Sequence, residues 1–123
     1  MSLRLSPTEE QLMEIIWKNK KAFMKEILEA YDEPKPAAST IATLLKRMQN
    51  KGYVDFKLYG NSREYYPLIK KKKYFKEKMK EMVNNFFGGS NAAFASFFTE
   101  ESKMNQEELK ALKELIDAKI KKL

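Results

Sequence analysis

PAASTIATLLKRMQNKGYVDFKLYGNSREYYPL, residues 36–68, holds the pattern that decides the fold of this chain. Ile41, Leu44, Leu45 and Met48 recur at i, i+3, i+4 and i+7, which gives a helix one buried stripe. The helix is expected to begin between Ala37 and Ser39. Its other face carries Ser39, Thr40, Thr43, Lys46, Arg47 and Asn50. Gly52 follows where a left-handed C-cap is needed, a conformation that glycine adopts without strain. Val54, Phe56 and Leu58 then alternate with Asp55 and Lys57, the period of a half-buried strand. Gly60, Asn61 and Ser62 supply a turn, and Arg63 to Leu68 returns as a second strand. Pro67, near its end, suits an edge strand.

Two shorter helices precede this stretch. Ser6-Pro7-Thr8-Glu9 spells a capping box with proline at the first helical position. The first helix is expected to run to about Lys18, with Leu12, Met13, Ile16 and Trp17 in the core. Asn19, Lys20 and Lys21 break it. A second helix over roughly Phe23 to Tyr31 places Met24, Ile27, Leu28 and Tyr31 on one face. Pro34 and Pro36 end it by removing donors and biasing their predecessors to extended backbone. Three helices and a hairpin define an N-terminal winged helix-turn-helix over residues 1–69, a module whose last helix enters the DNA major groove. The fold class is α+β, mostly α, with C-terminal dimerisation helices over 70–123.

Those later residues cannot cover their own apolar surface. Phe75, Met79, Met82 and Phe86 repeat at 4, 3, 4 before a Gly88-Gly89 stop. Asn91 to Phe98 is a short Phe-rich helix, and Glu100 to Met104 a polar linker. Asn105-Gln106-Glu107-Glu108 is another capping box. Leu109, Leu112, Ile116, Ile120 and Leu123 then form a seam suited to a second helix. A two-fold homodimer is the economical way to cover these stripes. Its expected interface is Phe75, Met79, Met82, Phe86, Leu109, Leu112, Ile116 and Ile120.

Composition narrows the function. The 123 residues contain no cysteine and no histidine. Disulfides, a cysteine nucleophile and a histidine base are therefore absent, as are the commonest transition-metal ligands. A reducing cytoplasm fits. No apolar run approaches the length of a membrane span, and Met1 to Leu5 has no signal-peptide h-region. The paired carboxylates Glu9-Glu10, Glu100-Glu101 and Glu107-Glu108 are neighbours that do not face each other on a helix. No cofactor and no enzymatic activity are expected. The net charge is +7, concentrated in residues 70–87, which hold 7 lysines against 2 glutamates. Such an excess suits a polyanionic partner.

The DNA-facing candidates are therefore Ser39, Thr40, Thr43, Lys46, Arg47 and Asn50 on the helix, with Lys57, Asn61 and Arg63 on the wing. Threonines serve phosphates or thymine methyls, and lysine serves phosphate or guanine. Lys70 to Lys73 reads as a solvated charge run at an unfavourable helix start. Two rival readings compete. One is a winged-helix protein–protein interaction module without sequence-specific DNA binding, which salt-sensitive duplex binding would separate. The other is a membrane-surface binder using Lys70 to Lys73, which liposome co-sedimentation would reveal.

Several motifs stand in a familiar order. They are Leu5-Ser6 with Glu9, Leu12-Met13-Glu14-Ile15-Ile16-Trp17, Thr40-Ile41 with Thr43-Leu44-Leu45 and Arg47, and Lys51-Gly52-Tyr53. Arg63 with Tyr65-Tyr66-Pro67-Leu68, Phe86-Phe87-Gly88-Gly89 and Phe97-Phe98 complete them. By these the chain resembles the penicillinase-repressor family of BlaI/MecI/CopY type over nearly its whole length. The resemblance implies a homodimeric transcriptional repressor of inverted-repeat operators. In the antibiotic-resistance branch it also implies a membrane-bound sensor metalloprotease that answers β-lactam and leads to a cut between Asn and Phe in the C-terminal helical region. The corresponding bond here is Ser96–Phe97, with serine in place of asparagine. That branch carries an arginine where this chain has Ala42. The copper branch senses through a cysteine site, which a chain without cysteine excludes.

Overall fold

A computed structural model describes residues 4–123; Met1, Ser2 and Leu3, part of the segment read as lacking an h-region, lie outside the described residues. The chain falls into two compact units, Met1–Phe75 and Lys76–Leu123.

In the first unit, α1 (Pro7–Asn19) opens with the expected box. The Glu9 amide donates to Ser6 Oγ at 3.2 Å, and the Ser6 amide donates to Glu9 Oε1 at 2.7 Å. After Lys20, which takes a positive φ of 67°, the chain does not enter the second helix directly. Ala22–Phe23 forms a two-residue strand, β1, and α2 (Met24–Glu29) follows. The expected start of that helix at Phe23 is corrected: β3 recruits residues 22–23 by pairing. Lys35 then closes α2, its ammonium donating to the carbonyls of Leu28, Glu29 and Tyr31 at 3.2, 3.3 and 2.6 Å. These are the carbonyls a helix end leaves unsatisfied.

The stripe of α3 (Ala38–Asn50) is buried at Ile41, Leu44, Leu45 and Met48. Its end is a Schellman motif: the Tyr53 amide donates to Met48 O at 2.9 Å and the Gly52 amide to Gln49 O at 3.0 Å. Gly52 takes φ +85°, the conformation this motif requires at that position. β2 (Val54–Tyr59) and β3 (Ser62–Pro67) pair from Val54↔Pro67 to Tyr59↔Ser62, around a two-residue Gly60-Asn61 loop. Gly60 takes φ +62° while Asn61 does not take a positive φ, as in a type II′ hairpin turn. The sheet order is β1-β3-β2, so β3 is central and not the edge strand that Pro67 suggested. Proline is tolerated because β1 reaches only Glu64 and Tyr65 and leaves Pro67 with one neighbour. Leu58 also departs from expectation: it follows the alternation but overhangs the core and is 60% exposed.

The core holds Leu5, Leu12, Met13, Ile16, Ala22, Ile27, Ile41, Leu45, Met48, Tyr53, Val54, Tyr65 and Tyr74. Each fully buried aliphatic side chain among them contributes about 1.5–3 kcal/mol. Trp17 is half-buried; its indole N–H donates to Ile69 O at 2.8 Å, and its ring meets Tyr74 and Phe75 at 5.6 and 5.9 Å. This ties α1 to the first turn of α4 (Lys71–Phe86). Lys71 to Lys73 do lie in that turn, and the Lys71 ammonium pairs with the Glu14 carboxylate of α1.

A buried ion pair fastens the start of α1 to the end of α3. Lys51, the C-cap of α3, donates to Glu9 Oε1 at 2.6 Å and to Arg4 O at 2.8 Å. The Glu9 side chain is 2% exposed and that of Lys51 23%. Burial pushes the Glu9 carboxyl up, but hydrogen bonds from Lys51 and Ser6 outweigh it and hold the carboxyl below its ordinary value.

The second unit carries the rest of α4, α5 (Asn91–Glu101) and α6 (Gln106–Lys122). Gly88 and Gly89 end α4 with φ of +56° and +79°, the Gly89 amide donating to Val83 O at 3.0 Å. Ser90 caps α5, accepting from the Ala93 amide at 3.0 Å. The helix continues to Glu101, three residues past its expected end, so the polar segment read as a linker from Glu100 is shorter. Asn105 and Glu108 form the second capping box. Phe87 meets Phe94 and Phe97 at 5.5 Å, and Phe94 meets Phe98 at 6.2 Å. Val83 is the one buried hydrophobic of this unit, whereas Met79, Met82, Phe86, Leu109, Leu115, Ile116 and Ile120 are exposed.

Lys51→Ala leaves a buried carboxylate unpaired and should destabilise the first unit by about 3–5 kcal/mol. Urea unfolding followed by the fluorescence of Trp17, the single tryptophan, measures this. A depressed carboxyl stabilises the fold above the unfolded carboxyl range, about pH 4.3, and that contribution is lost as pH falls through the lower folded value. Glu9→Gln should therefore be less stable than the wild type at neutral pH, with the gap closing in acid.

Candidate nucleic-acid interface

The buried stripe of α3 fixes which residues point outward. At 100° per residue, Ser39, Thr43, Lys46 and Asn50 form the ridge opposite the core, and all are exposed. Thr40 and Arg47 lie on one flank, Ala42 and Gln49 on the other. The Gln49 flank faces the wing, because its side-chain amide donates to Asp55 Oδ1 at 3.3 Å. Thr43 Oγ1 donates to the Ser39 carbonyl at 3.0 Å, which leaves its methyl and its oxygen lone pairs outward. Nothing in α3 is acidic, and its N-cap, Ala37, supplies no capping side chain. A positive dipole end and Lys46 thus share one surface, which suits phosphate.

The wing adds cations in two directions. Phe56 pairs with Tyr65 across the hairpin, rings 5.5 Å apart. The Arg63 guanidinium lies 4.5 Å over the Phe56 ring. Arg63 is thereby propped on the same sheet face as the buried Val54 and Tyr65, beyond the edge of the core. Lys57 alternates to the opposite face, opposite Glu64 in the register and 5.7 Å from the Tyr59 ring. The structure therefore brings Asn61 and Arg63 together with the Ala42 flank of α3 and sets Lys57 apart from them. Between α3 and the wing lies a depression of about 350 Å³, lined by Phe23, Met24, Ala42, Asn61, Ser62, Arg63 and Tyr65. Lys70 and Lys71 line a different cleft with Trp17, Lys18 and Lys20, at the end of the hairpin away from its tip.

Ala42 and Ser62 line the depression between α3 and the wing but are not among the DNA-facing candidates of the sequence. Ala42 offers no hydrogen-bonding group, and the sequence marks it only as the place where the resistance branch carries an arginine. Ser62 reads as turn chemistry and not as a donor beside Arg63.

A three-helix unit with a short three-stranded wing and an exposed, acid-free third helix defines a winged-helix DNA-binding regulator. The first unit is similar to the solution structure of the DNA-binding domain of the repressor BlaI, with TM-score 0.52 and 25% identity over 60% of this chain and 92% of that one. The penicillinase-repressor model matches residues 5–118. Over 116 residues, 94% of each chain, this protein is 28% identical to the methicillin resistance regulatory protein MecI of Staphylococcus aureus strain N315. It is 24% identical to the penicillinase repressor of Bacillus licheniformis over 93% of this chain and 90% of that one. The chain belongs to the penicillinase-repressor family, as a regulator of the BlaI/MecI type and not an enzyme. No helix among the described residues is long and apolar enough to cross a membrane.

Lys46→Ala should weaken duplex binding and lower the slope of log K against log salt by about 0.9 if Lys46 holds one phosphate. If it reads a base, discrimination at one position should instead relax by about 1–3 kcal/mol. Titrations at several salt concentrations distinguish the two outcomes.

Proposed function

We propose that this chain is a homodimeric transcriptional repressor that occludes a promoter by binding an inverted-repeat operator in the cytoplasm. Residues 1–69 bind DNA and residues 70–123 dimerise. The observation that carries the DNA half is the exposed, acid-free ridge of α3 beside the propped Arg63. Ser39, Thr40, Thr43, Lys46, Arg47 and Asn50 are the groove and backbone contacts, with Asn61 and Arg63 on the wing; Lys57 leaves this set because it stands on the opposite sheet face. The dimer half is supported by a unit with a single buried hydrophobic and two uncovered stripes. Phe75, Met79, Met82 and Phe86 of α4, with Leu109, Leu112, Ile116 and Ile120 of α6, are the interface. Ile116 and Ile120 stand 52% and 61% exposed in the single chain, which a soluble helix pays for only with a partner.

Derepression proceeds by proteolysis at Ser96–Phe97, by a membrane-bound sensor metalloprotease. The resemblance to the resistance branch motivates this bond. It lies inside α5, where Thr99 Oγ1 donates to the Ser96 carbonyl at 3.0 Å and Phe97 packs on Phe87. Cleavage therefore requires local unwinding of α5, a helix with no buried residue to resist it. Cutting there separates α6 and its seam from the DNA-binding unit.

Ile116→Lys should convert the dimer to a monomer by light scattering at micromolar concentration. Loss of the second half-site should then weaken operator binding by about 10²–10⁴-fold. A wild-type monomer would overturn the assembly. Co-expression with the sensor protease and inducer should yield a fragment ending at Ser96 by mass spectrometry, whereas derepression with an intact chain would assign the switch to another signal.

A further inference from the structure

We propose that the depression between α3 and the wing seats one phosphodiester of a DNA strand, with the Ala42 methyl as the wall that leaves it room and the Arg63 guanidinium as its counter-charge. The proposal rests on the DNA-binding reading and adds the ligand of one defined spot.

The lining sorts by chemistry. Asn61, Ser62 and Arg63 offer an amide, a hydroxyl and a guanidinium along the wing side, while Phe23 and Met24 are apolar. No carboxylate lines it. A base edge presents acceptors and donors together, whereas a phosphodiester presents acceptors and a negative charge, which this donor-rich wall matches. Arg63 is prepared for that task. Its face lies 4.5 Å over Phe56, so its N–H edge is left for an anion, and little side-chain freedom remains to be lost on binding. Among the described residues no carboxylate forms an ion pair with it.

Ala42 decides whether the space exists. It sits one turn from both Ser39 and Lys46, on the flank of α3 turned to the wing. A long side chain there would extend into the depression and meet Arg63. An α3 in the major groove and a wing beyond its edge must have a sugar–phosphate strand between them, and the Ala42 gap is where these two elements leave room for it.

The test uses the full chain and a duplex selected by it from random-sequence DNA. Each phosphate of a half-site is replaced in turn by a neutral methylphosphonate, and affinities are measured for the wild type, Arg63→Ala and Ala42→Leu. Both substituted residues are exposed, and Trp17 fluorescence checks folding. At one position per half-site the neutral linkage should weaken the wild type about tenfold or more, the loss of a charge-assisted bond. At that same position it should weaken Arg63→Ala and Ala42→Leu by less than about twofold. Tight wild-type binding in which no single phosphate is uncoupled by both substitutions would overturn the seat and leave the DNA-binding reading intact. Absence of wild-type binding to any duplex would overturn both.

Discussion

The contact between Glu9 and Lys51 organises the first unit. One carboxylate oxygen accepts from the Ser6 amide and from the Lys51 ammonium, so a single atom both starts α1 and anchors the C-cap of α3. Lys51 is followed at once by Gly52, whose left-handed backbone turns the chain into β2. The direction of the wing is therefore set from a point held against α1. A buried pair of this kind adds little net stability over an apolar substitute, yet losing one partner is costly. Its use here is geometric: it holds the start of α1 against the C-cap of α3, the point from which the chain turns into the hairpin.

What α3 presents and how the wing stands beside it have different causes. The ridge Ser39, Thr43, Lys46 and Asn50 follows from the burial of Ile41, Leu44, Leu45 and Met48 alone. The relation of that ridge to Arg63 does not; it needs the Schellman turn, the register from Val54↔Pro67 to Tyr59↔Ser62, and the Phe56 ring beneath the guanidinium. Helix and wing are thus joined by short, hydrogen-bonded links. The second unit shows the opposite economy. Helices α5 and α6 are capped but bury no residue within the chain, so their apolar faces stand exposed.

Local interactions were legible in the sequence and long-range ones were not. Both capping boxes, the stripe of α3 and the Gly52 stop depend on residues within a few positions of each other and are legible; the turn reads one residue too long, because Ser62 already belongs to β3 and pairs with Tyr59. β1 was missed because two residues carry no alternation and its partner lies some forty positions away at Glu64 and Tyr65. The same distance hid the centrality of β3. Leu58 was misjudged because alternation reports which face a side chain takes, not whether the core extends that far. Lys51 reads as a surface cation until Glu9 is placed beside it. Of the candidate interface, the charged and polar residues are legible by their chemistry, whereas Ala42 stands out in the sequence only as a departure from the resistance branch, and its place on the wing flank needs the fold.

The central claim is that two copies of this chain hold duplex DNA through α3 and the wing. Hydroxyl-radical footprinting of the full chain on its selected duplex tests it most directly. The account predicts two equivalent protected patches related by a two-fold axis, their centres about 34–36 Å apart or a multiple of that spacing. A single asymmetric patch, or no protection at any salt concentration, would contradict it.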